Sequence, residues 1–202
     1  MDKTKQLKAM LRDGLVRGTS ASDGQKVQHD LAGAGLRVRR FVPDDVSEVQ
    51  NIIHRGLREV NGKDYSAELI EDFCAHFTAE KLLAQADSAH VYVATSSSGR
   101  ILGTGTIAPY WGSVTESILL TIYVLPELIG NGIGTAIVQA LEKDAFSLRA
   151  TRIEIPSSVT AVGFYRKFGY LPKNGIDEPD EEGLVRLEKF RNESAVVPKG
   201  SP

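Results

Sequence analysis

The chain has 202 residues, about the length of a single domain. With 42% hydrophobic and 25% charged residues it has the composition of an ordinary globular protein, and its formal net charge of −2 gives no argument for nucleic acid or an anionic membrane as a partner. A single cysteine excludes an internal disulfide framework and a cysteine-rich zinc site.

The two ends of the chain differ in character from the region between them. The first 40 residues carry nine Lys and Arg against four Asp and Glu. Apolar residues recur there on one helical face, at Leu7, Met10, Leu11 and Leu15. Residues 18–24 indicate a loop. We therefore predict a basic helical extension and linker over 1–34, with a partly disordered segment as the alternative, a domain over 35–191 and a tail over 192–202.

The first half of the predicted domain reads as one strand followed by three helices. Residues 36–42 carry the apolar residues of a strand, and Pro43-Asp44-Asp45 then favours a helix start. The first helix is predicted from apolar residues at helical spacing: Val46, Val49, Ile53, Leu57 and Val60. Ser66 and Thr78 are placed to cap the second and third helices. Cys74 lies on the apolar stripe of the second helix, so we interpret it as a small core residue and not as a nucleophile.

From residue 91 the pattern changes to that of strands. They are predicted at 91–94, 101–108 and 116–124, around Ile153 and Ile155, and at 184–190. The run 116–124 is almost continuously apolar, which is expected for a strand covered on both faces. A helix is predicted over 133–148, and another from Pro156-Ser157-Ser158 to a C-cap at Gly169.

Several classes of protein are disfavoured by what the sequence lacks. Its histidines show no metal-binding spacing: they are His29, His54, His76 and His90. No apolar run approaches the roughly 20 residues that a membrane span needs, and the N-terminus lacks the apolar segment of a secretory signal. We therefore expect a cytosolic protein that has no metal site and no membrane partner.

The most informative segment is a glycine-rich turn between a buried strand and a helix. Gly130, Gly132 and Gly134 allow the backbone to approach an anion closely, and the unpaired amides of a helix's first turn point at it. A Walker loop is excluded because no lysine follows Gly134, and the dinucleotide fingerprint would require a third glycine at Thr135. Gly103-Thr104-Gly105 lies inside a strand with no helix behind it, so we do not interpret it as a phosphate site.

Three motifs resemble those of the GCN5-related N-acetyltransferase (GNAT) family. Residues 129–134 are similar to its acyl-CoA signature R/Q-x-x-G-x-G/A, with Ile129 in place of Arg or Gln. Val124-Leu125-Pro126 resembles its V-x-P, and residues 161–170 resemble its A-x-x-F-Y-x-x-x-G-F helix and exit strand. The order of elements over 36–191 is similar as well. The resemblance implies an α/β (α+β) fold, with a mixed, mostly antiparallel central sheet of six to seven strands that is flanked by helices and splayed in a V between strands four and five.

The resemblance also implies acetyl-CoA as cosubstrate, held at the glycine turn. The residues it assigns to binding are Tyr123, Val124, Gly130, Asn131, Gly132, Ile133, Gly134, Thr135 and Ser158. Backbone amides would provide most of these contacts, so we expect Ile129 to weaken CoA binding without abolishing it. Ser158 stands where the family commonly has Asn, and a serine there can still cap its helix.

Acetyl transfer from a thioester to an amine requires a base for the amine, a hydrogen-bond donor for the oxyanion and an acid for the departing thiolate. By resemblance, Tyr165 is the acid and the backbone amide of Val124 is the oxyanion donor. Glu154, on the fifth strand, is the candidate base. The alternatives are that Glu154 pairs with Arg152 or faces solvent, and that Glu116 or a chain of water molecules takes the proton.

The acceptor is defined less well by the sequence. Two features have two interpretations each. The acidic run 177–182 either attracts a cationic amine or is only a solvated loop. Tyr110-Trp111 either lines the acceptor pocket or anchors a loop. We predict an acetyl-CoA-dependent N-acetyltransferase acting by direct transfer in a ternary complex on a small-molecule or peptide amine. The alternative is a catalytically weak CoA-binding sensor or scaffold. A homodimer is allowed by the sequence, and nucleic acid is supported only by the charge of residues 1–17.

Overall fold

The structure is a computed structural model that describes residues 35–191. The predicted extension over 1–34 and the predicted tail over 192–202 lie outside the described residues. The strands are β1 (Arg37–Arg40), β2 (His90–Thr95), β3 (Ile101–Pro109), β4 (Glu116–Val124), β5 (Arg152–Ser157), β6 (Leu171–Pro172) and β7 (Val185–Phe190). The α-helices are α1 (Val46–Arg55), α2 (Ala67–Cys74), α3 (Ala79–Ser88), α4 (Ile133–Leu141), α5 (Ala145–Leu148) and α6 (Val162–Arg166). No helix in the described range is long and apolar enough to cross a membrane.

The strands form one sheet in the order β1-β2-β3-β4-β5-β7-β6, and every neighbouring pair is antiparallel except β4 with β5. β4 and β5 pair only at their first three residues, from Glu116 opposite Arg152 to Ile118 opposite Glu154. Beyond Ile118 the two strands separate, and one edge of β4 is left open. The expected α/β (α+β) fold, with a mostly antiparallel sheet and an opening between strands four and five, is confirmed.

A bulge in β4 lies along this open edge. The register between β3 and β4 shifts between Thr104 and Thr106, so that two residues of β4 face Gly105. Thr121, at the bulge, has a φ of 55°, a left-handed conformation that is an outlier for a β-branched residue. Backbone strain of this kind persists where the surrounding structure holds it, and it concentrates at functional sites.

Side-chain caps explain where α2 and α3 begin. Ser66 accepts a hydrogen bond from the N–H of Leu69 at 3.2 Å, and Thr78 accepts one from the N–H of Lys81 at 2.9 Å. Each cap satisfies an amide that has no partner within its own helix, and both predicted caps are confirmed. Cys74, the last residue of α2, is buried in the core as predicted.

Two helix predictions are wrong. The helix predicted over 133–148 is two helices, because the buried carboxylate of Asp144 accepts the N–H of Phe146 at 2.8 Å and so begins α5. The helix predicted from Pro156-Ser157 does not begin there, because these two residues pair with β7 and extend β5. A 3-10 turn follows, and α6 begins only at Val162.

The predicted C-cap at Gly169 is confirmed. Gly169 has a φ of 84°, and its N–H donates to the carbonyl of Arg166 at 3.0 Å. The N–H of Tyr170 reaches back to the carbonyl of Tyr165 at 3.4 Å, which completes a Schellman motif. This turn directs the chain from α6 into β6.

Two glycines of β3 allow α4 to pack directly on the sheet. A Cβ at Gly105 would lie 2.5 Å from Ile137 Cγ2 and 3.1 Å from Leu141 Cδ1, and a Cβ at Gly103 would lie 2.9 Å from Ile137 Cδ1. The Gly-Thr-Gly pattern is therefore a packing feature of the strand. Because α4 begins at the glycine-rich turn, this contact fixes the position of the turn relative to β4.

We expect Gly105→Ala to lower the free energy of unfolding by about 1–3 kcal/mol, because the added methyl group overlaps Ile137 in a filled core. Gly163→Ala is the matched control, since nothing lies within 4 Å of a Cβ at that position. That variant should change stability by less than about 1 kcal/mol. Urea unfolding of both variants checks the prediction, and equal effects would show that the contact between α4 and β3 adapts freely.

Candidate active site

A cavity of about 650 Å³ occupies the opening between β4 and β5. One part of its lining is formed by the glycine-rich turn and the start of α4. Another part is formed by a π-helical turn, Gly56–Val60, which continues α1, and by Phe73 of α2. Tyr123 and Tyr165 also line the cavity. A cavity between diverging strands, with two chemically different parts, can bring two substrates together.

The glycine-rich turn and the start of α4 carry a group of unpaired backbone amides. Five backbone N–H groups have no hydrogen-bond acceptor within residues 35–191. They belong to Gly130, Gly132, Ile133, Gly134 and Thr135. These groups lie at the N-terminus of α4, where the helix dipole adds positive potential. An anion is the ligand that such an arrangement favours.

The conformation of the turn depends on its glycines. Gly130 has a φ of 91° and Gly132 a φ of 80°, and nothing lies within 4 Å of a Cβ built at either position. Side chains there would therefore occupy the open space above the amides. Asn131 differs from its neighbours, because its own N–H and its side-chain Nδ2 both donate to the carbonyl of Leu128, at 3.3 and 3.1 Å. Asn131 holds the turn closed and does not present its amide to a ligand.

Gly134 allows α6 to approach α4. A Cβ there would lie 3.2 Å from Cζ of Phe164 and 3.8 Å from Cγ2 of Val124. The three motifs noted in the sequence therefore meet at this point: the glycine turn, the end of β4, and the helix that carries Tyr165.

Tyr123 and Tyr165 place two hydroxyl groups in the cavity. Burial raises the pKa of both well above the usual range, and the nearby Tyr165 raises that of Tyr123 further. Neither hydroxyl has a hydrogen-bond partner among the described residues. The Tyr123 ring fits because residue 56 is glycine, since a Cβ there would lie 2.5 Å from its Cδ1. Both phenols are therefore protonated donors at neutral pH.

The open edge of β4 presents the amide of Val124 to the cavity. The N–H of Leu125 donates to the carbonyl of Leu102 on β3 at 2.9 Å. Because successive residues of a strand direct their N–H groups to opposite edges, the N–H of Val124 points away from β3 and into the gap. Tyr123 lies opposite Thr104, so the same alternation turns its backbone toward β3 and leaves its side chain as the part that lines the cavity.

The candidate base Glu154 does not line the cavity. It is 2% exposed, and its carboxylate is hydrogen-bonded by Arg152 and, at 2.7 Å, by Lys173. Arg152 also bonds to Glu188 at 2.7 Å and to Glu116 at 3.2 Å. The pairing of Glu154 with Arg152, one of the alternatives from the sequence, is therefore present, and Glu116 belongs to the same ion cluster. Among the described residues, no Asp, Glu or His lines the cavity.

The candidate acceptor features also lie outside the cavity lining. Tyr110 packs under the charges of Arg152 and Lys173, at 5.1 and 5.9 Å from its ring centre. In the acidic run, Asp180 accepts two backbone N–H groups of its own loop and pairs with Arg186, which also pairs with Glu182. Much of the negative charge of this loop is therefore already compensated.

Several residues of the cavity were not predicted. Ser158 lines it as expected, but its side chain caps no helix, and the neighbouring N–H of Val159 donates instead to the hydroxyl of Tyr65 at 3.1 Å. That hydroxyl in turn donates to the carbonyl of Gly183 at 2.7 Å. Lys167 is the one charged residue of the lining in the described range. The motif at 161–170 was the sequence signal that could have identified Lys167. Tyr65 lies in a loop that carries no motif.

Comparison with known proteins agrees with this arrangement. The sequence matches the acetyltransferase (GNAT) family over residues 50–170, which is more than half of the chain. The chain belongs to the GNAT family. It is therefore an acetyltransferase, and acetyl-CoA is the cosubstrate of this family. A search of curated proteins found no match.

Solved GNAT structures share its fold. A GCN5-related N-acetyltransferase (aminotransferase, class II) from Rhodopseudomonas palustris is 22% identical with a TM-score of 0.62, covering 78% of this chain and 97% of its own. The PaiA N-acetyltransferase from Thermoplasma acidophilum, solved with coenzyme A, is 19% identical with a TM-score of 0.65, covering 77% and 99%. A GNAT acetyltransferase from Brucella melitensis, solved with acetyl-CoA, is 19% identical with a TM-score of 0.54, covering 78% and 88%.

We expect Cys74, the only cysteine, to be unreactive in the folded protein. It is buried, and burial raises the pKa of its thiol to about 11, so very little thiolate is present at pH 8. Labelling with a chromogenic disulfide at pH 8 should be at least about a hundredfold slower for the native chain than for the chain in urea. A native rate equal to the unfolded rate would mean that this thiol is accessible and is a candidate carrier of the acetyl group.

Proposed function

We propose that the protein transfers an acetyl group from acetyl-CoA directly to a primary amine while both are bound in the cavity between β4 and β5. The observation that carries this proposal is the row of unpaired amides at Gly130 and residues 132–135, in a cavity that is also lined by the unpartnered hydroxyl of Tyr165. An anion-binding turn and a protonated phenol in one cavity are what a diphosphate-bearing thioester requires. The PaiA structure with coenzyme A and the Brucella melitensis structure with acetyl-CoA share this fold, which supports the assignment.

The residues of the turn fit the diphosphate of coenzyme A. Five free N–H groups at a helix N-terminus match its phosphate oxygens, and the missing side chains at Gly130 and Gly132 leave space above them. Ile129, 54% exposed, adds no polar contact, whereas Lys167 lines the same cavity and supplies a positive charge. When bound, acetyl-CoA supplies the activated acetyl group, and the chain's own groups position it.

Two groups of the chain act on the reacting atoms in this proposal. The N–H of Val124, turned into the gap, donates to the carbonyl oxygen and stabilises the negative charge that develops on it. Tyr165 keeps its proton because burial raises its pKa, and its hydroxyl donates that proton to the departing sulfur. The amine nitrogen bonds to the carbonyl carbon as the carbon–sulfur bond breaks. With no carboxylate or imidazole among the described lining residues, we propose that the proton released by the amine passes to water in the cavity and that water restores the proton of Tyr165.

One observation favours a second candidate function, a CoA-binding sensor or scaffold with weak turnover. The two carboxylates that the sequence offers as bases, Glu116 and Glu154, are both engaged with Arg152. A measurement of thiol release from acetyl-CoA in the presence of primary amines separates the two functions. Tight CoA binding without thiol release would favour the sensor, and amine-dependent release favours the transferase.

We expect Gly132→Leu to weaken CoA binding by at least about tenfold. The substitution projects a side chain over the free amides and strains a left-handed backbone position, where an L-residue costs about 1–2 kcal/mol. Calorimetric titration with CoA measures the change in affinity.

Gly99→Leu is the matched control for this substitution. Gly99 has a φ of 89° with nothing within 4 Å of a Cβ, but it lies in the turn between β2 and β3, outside the cavity lining. It carries a similar backbone penalty and should leave CoA affinity unchanged. If Gly132→Leu binds CoA as tightly as Gly99→Leu does, the turn does not hold the diphosphate.

We expect Tyr165→Phe to lower kcat by about a hundredfold or more, the usual contribution of a general acid, with little change in the KM for acetyl-CoA. Because burial raises the Tyr165 pKa above its ordinary value of 10.0, the hydroxyl should remain protonated and active through pH 9.5. The rate of the wild type should therefore rise with pH, as more of the amine becomes unprotonated, without a fall caused by ionisation of Tyr165.

Tyr110→Phe is the control for loss of a hydroxyl. Tyr110 lies outside the cavity lining, and its hydroxyl makes no hydrogen bond among the described residues. Its removal should leave kcat unchanged. Equal rates for Tyr165→Phe and wild type would remove Tyr165 from the mechanism, and an alkaline fall in rate below pH 9 that Tyr165→Phe abolishes would contradict its raised pKa.

A further inference from the structure

The part of the cavity lined by the π-helical turn and by the helix and loops after it is mainly apolar and aromatic. Its apolar residues are Leu57, Val60, Phe73 and Phe77. Tyr65 adds its ring, since its hydroxyl is already bonded to Gly183 and to Val159. The ring of Phe77 meets that of Tyr123 edge to face, with 6.4 Å between their centres, so this apolar surface continues to the phenols at the catalytic position.

One polar residue of this part of the lining has no hydrogen-bond partner for its side chain within residues 35–191. Asn61 lines the cavity and is 8% exposed, and its side-chain carboxamide makes no hydrogen bond with any described residue. Its backbone is fixed, because its carbonyl accepts the N–H groups of Asp64 at 2.9 Å and Tyr65 at 3.2 Å. The carboxamide is therefore a neutral polar group of the lining that is open to whatever fills the cavity.

No Asp or Glu among the described residues lines this part of the cavity, and Lys167, which follows α6, is the one charged residue of the described lining. Asp64 lies just outside the lining, where its exposed carboxylate accepts a hydrogen bond from the lining residue Thr160. In the nearby acidic loop, Asp180 and Glu182 pair with Arg186, and Asp177 pairs with Arg166. A second ammonium group buried against this lining would therefore lose its water without gaining a carboxylate there, because the nearby carboxylates lie outside the lining and are already bonded.

We propose that the acceptor is a primary amine on an uncharged apolar body, aromatic or branched aliphatic, with no second cationic group, and that Asn61 is a specificity-determining residue for it. This inference rests on the proposed function, because it concerns the second substrate of the same cavity. The walls supply apolar contact to that body, and Asn61 keeps its side of the cavity neutral, with no carboxylate to receive a second ammonium group. The same neutrality excludes diamines and polyamines.

Two amines of similar length distinguish the proposal from its opposite. We expect the kcat/KM of the wild type to be at least about tenfold higher for 2-phenylethylamine than for 1,5-diaminopentane, because the diamine must bury an unpaired ammonium. Calorimetric titration of the CoA-bound protein with each amine should show the same order of affinity without any turnover. A wild type that prefers the diamine in both measurements would overturn the proposal.

Substitutions of Asn61 test its role directly. Asn61→Asp places a carboxylate in the cavity and should lower the ratio of the two kcat/KM values by at least about tenfold, in favour of the diamine. Asn61→Leu keeps the site neutral, so that variant should retain the preference for phenylethylamine. It provides a second test if Asn61→Asp does not fold. Asn174→Asp, at an exposed position with a φ of 55° outside the lining, adds the same charge elsewhere and should leave the ratio unchanged.

The outcomes separate this inference from the proposed function. If CoA binds but neither amine releases thiol, direct transfer fails, and the calorimetric preference of the CoA-bound protein still decides the acceptor class. If both amines react but the ratio is unchanged in a folded Asn61→Asp, Asn61 does not determine specificity and the inference is wrong. A ratio that shifts equally in Asn174→Asp would also overturn it.

Discussion

The separation of β4 from β5 after their first three paired residues is the constraint on which the site depends. A strand that is paired on both edges has no free backbone amide to bind a ligand, whereas β4 beyond Ile118 has one unpaired edge. The alternation of the backbone turns the N–H of Val124 into the resulting gap, and the bulge at Thr121 lies along the same edge. Leaving such groups without partners costs about 1–3 kcal/mol each when they are buried, so the open edge needs water or a ligand to complete it.

Ion pairs hold the strands together where the opening between β4 and β5 closes. Arg152 is hydrogen-bonded to Glu116 on β4, Glu154 on its own strand and Glu188 on β7, and so joins three strands where they are still paired. Removing one partner from a buried cluster of this kind is strongly destabilising, because a charge is left unpaired. The carboxylates of the strands are thus used to hold the sheet at its closed end, and the open end is left to backbone amides, phenols and apolar surface.

The sequence predicted those features that depend on local chemistry. The bounds of β4, the caps at Ser66 and Thr78 and the left-handed Gly169 each follow from neighbouring residues, and all are present. The failures depend on distant partners. Periodicity gives no sign that Asp144 is buried beside His90 and Tyr92 and begins a new helix, and Pro156 resembles a helix start until its pairing with β7 is known. Asn61 carries no motif at all, because it becomes distinctive only once its carboxamide is seen to lack a partner.

One physical property of the cavity connects its catalytic and its acceptor parts. The apolar surroundings that raise the pKa of Tyr165 and Tyr123 do so by disfavouring charge, and they act in the same way on an amine bound beside these phenols. The same desolvation keeps the phenols protonated as donors and lowers the pKa of a bound ammonium, which favours the neutral nucleophilic amine. An aliphatic amine with a pKa near 10 in water can therefore react near neutral pH with a weaker base than a carboxylate. A cavity that selects acceptors by excluding charge thereby also prepares the reacting amine, and a side-chain base placed in its lining would oppose both effects by stabilising the ammonium form.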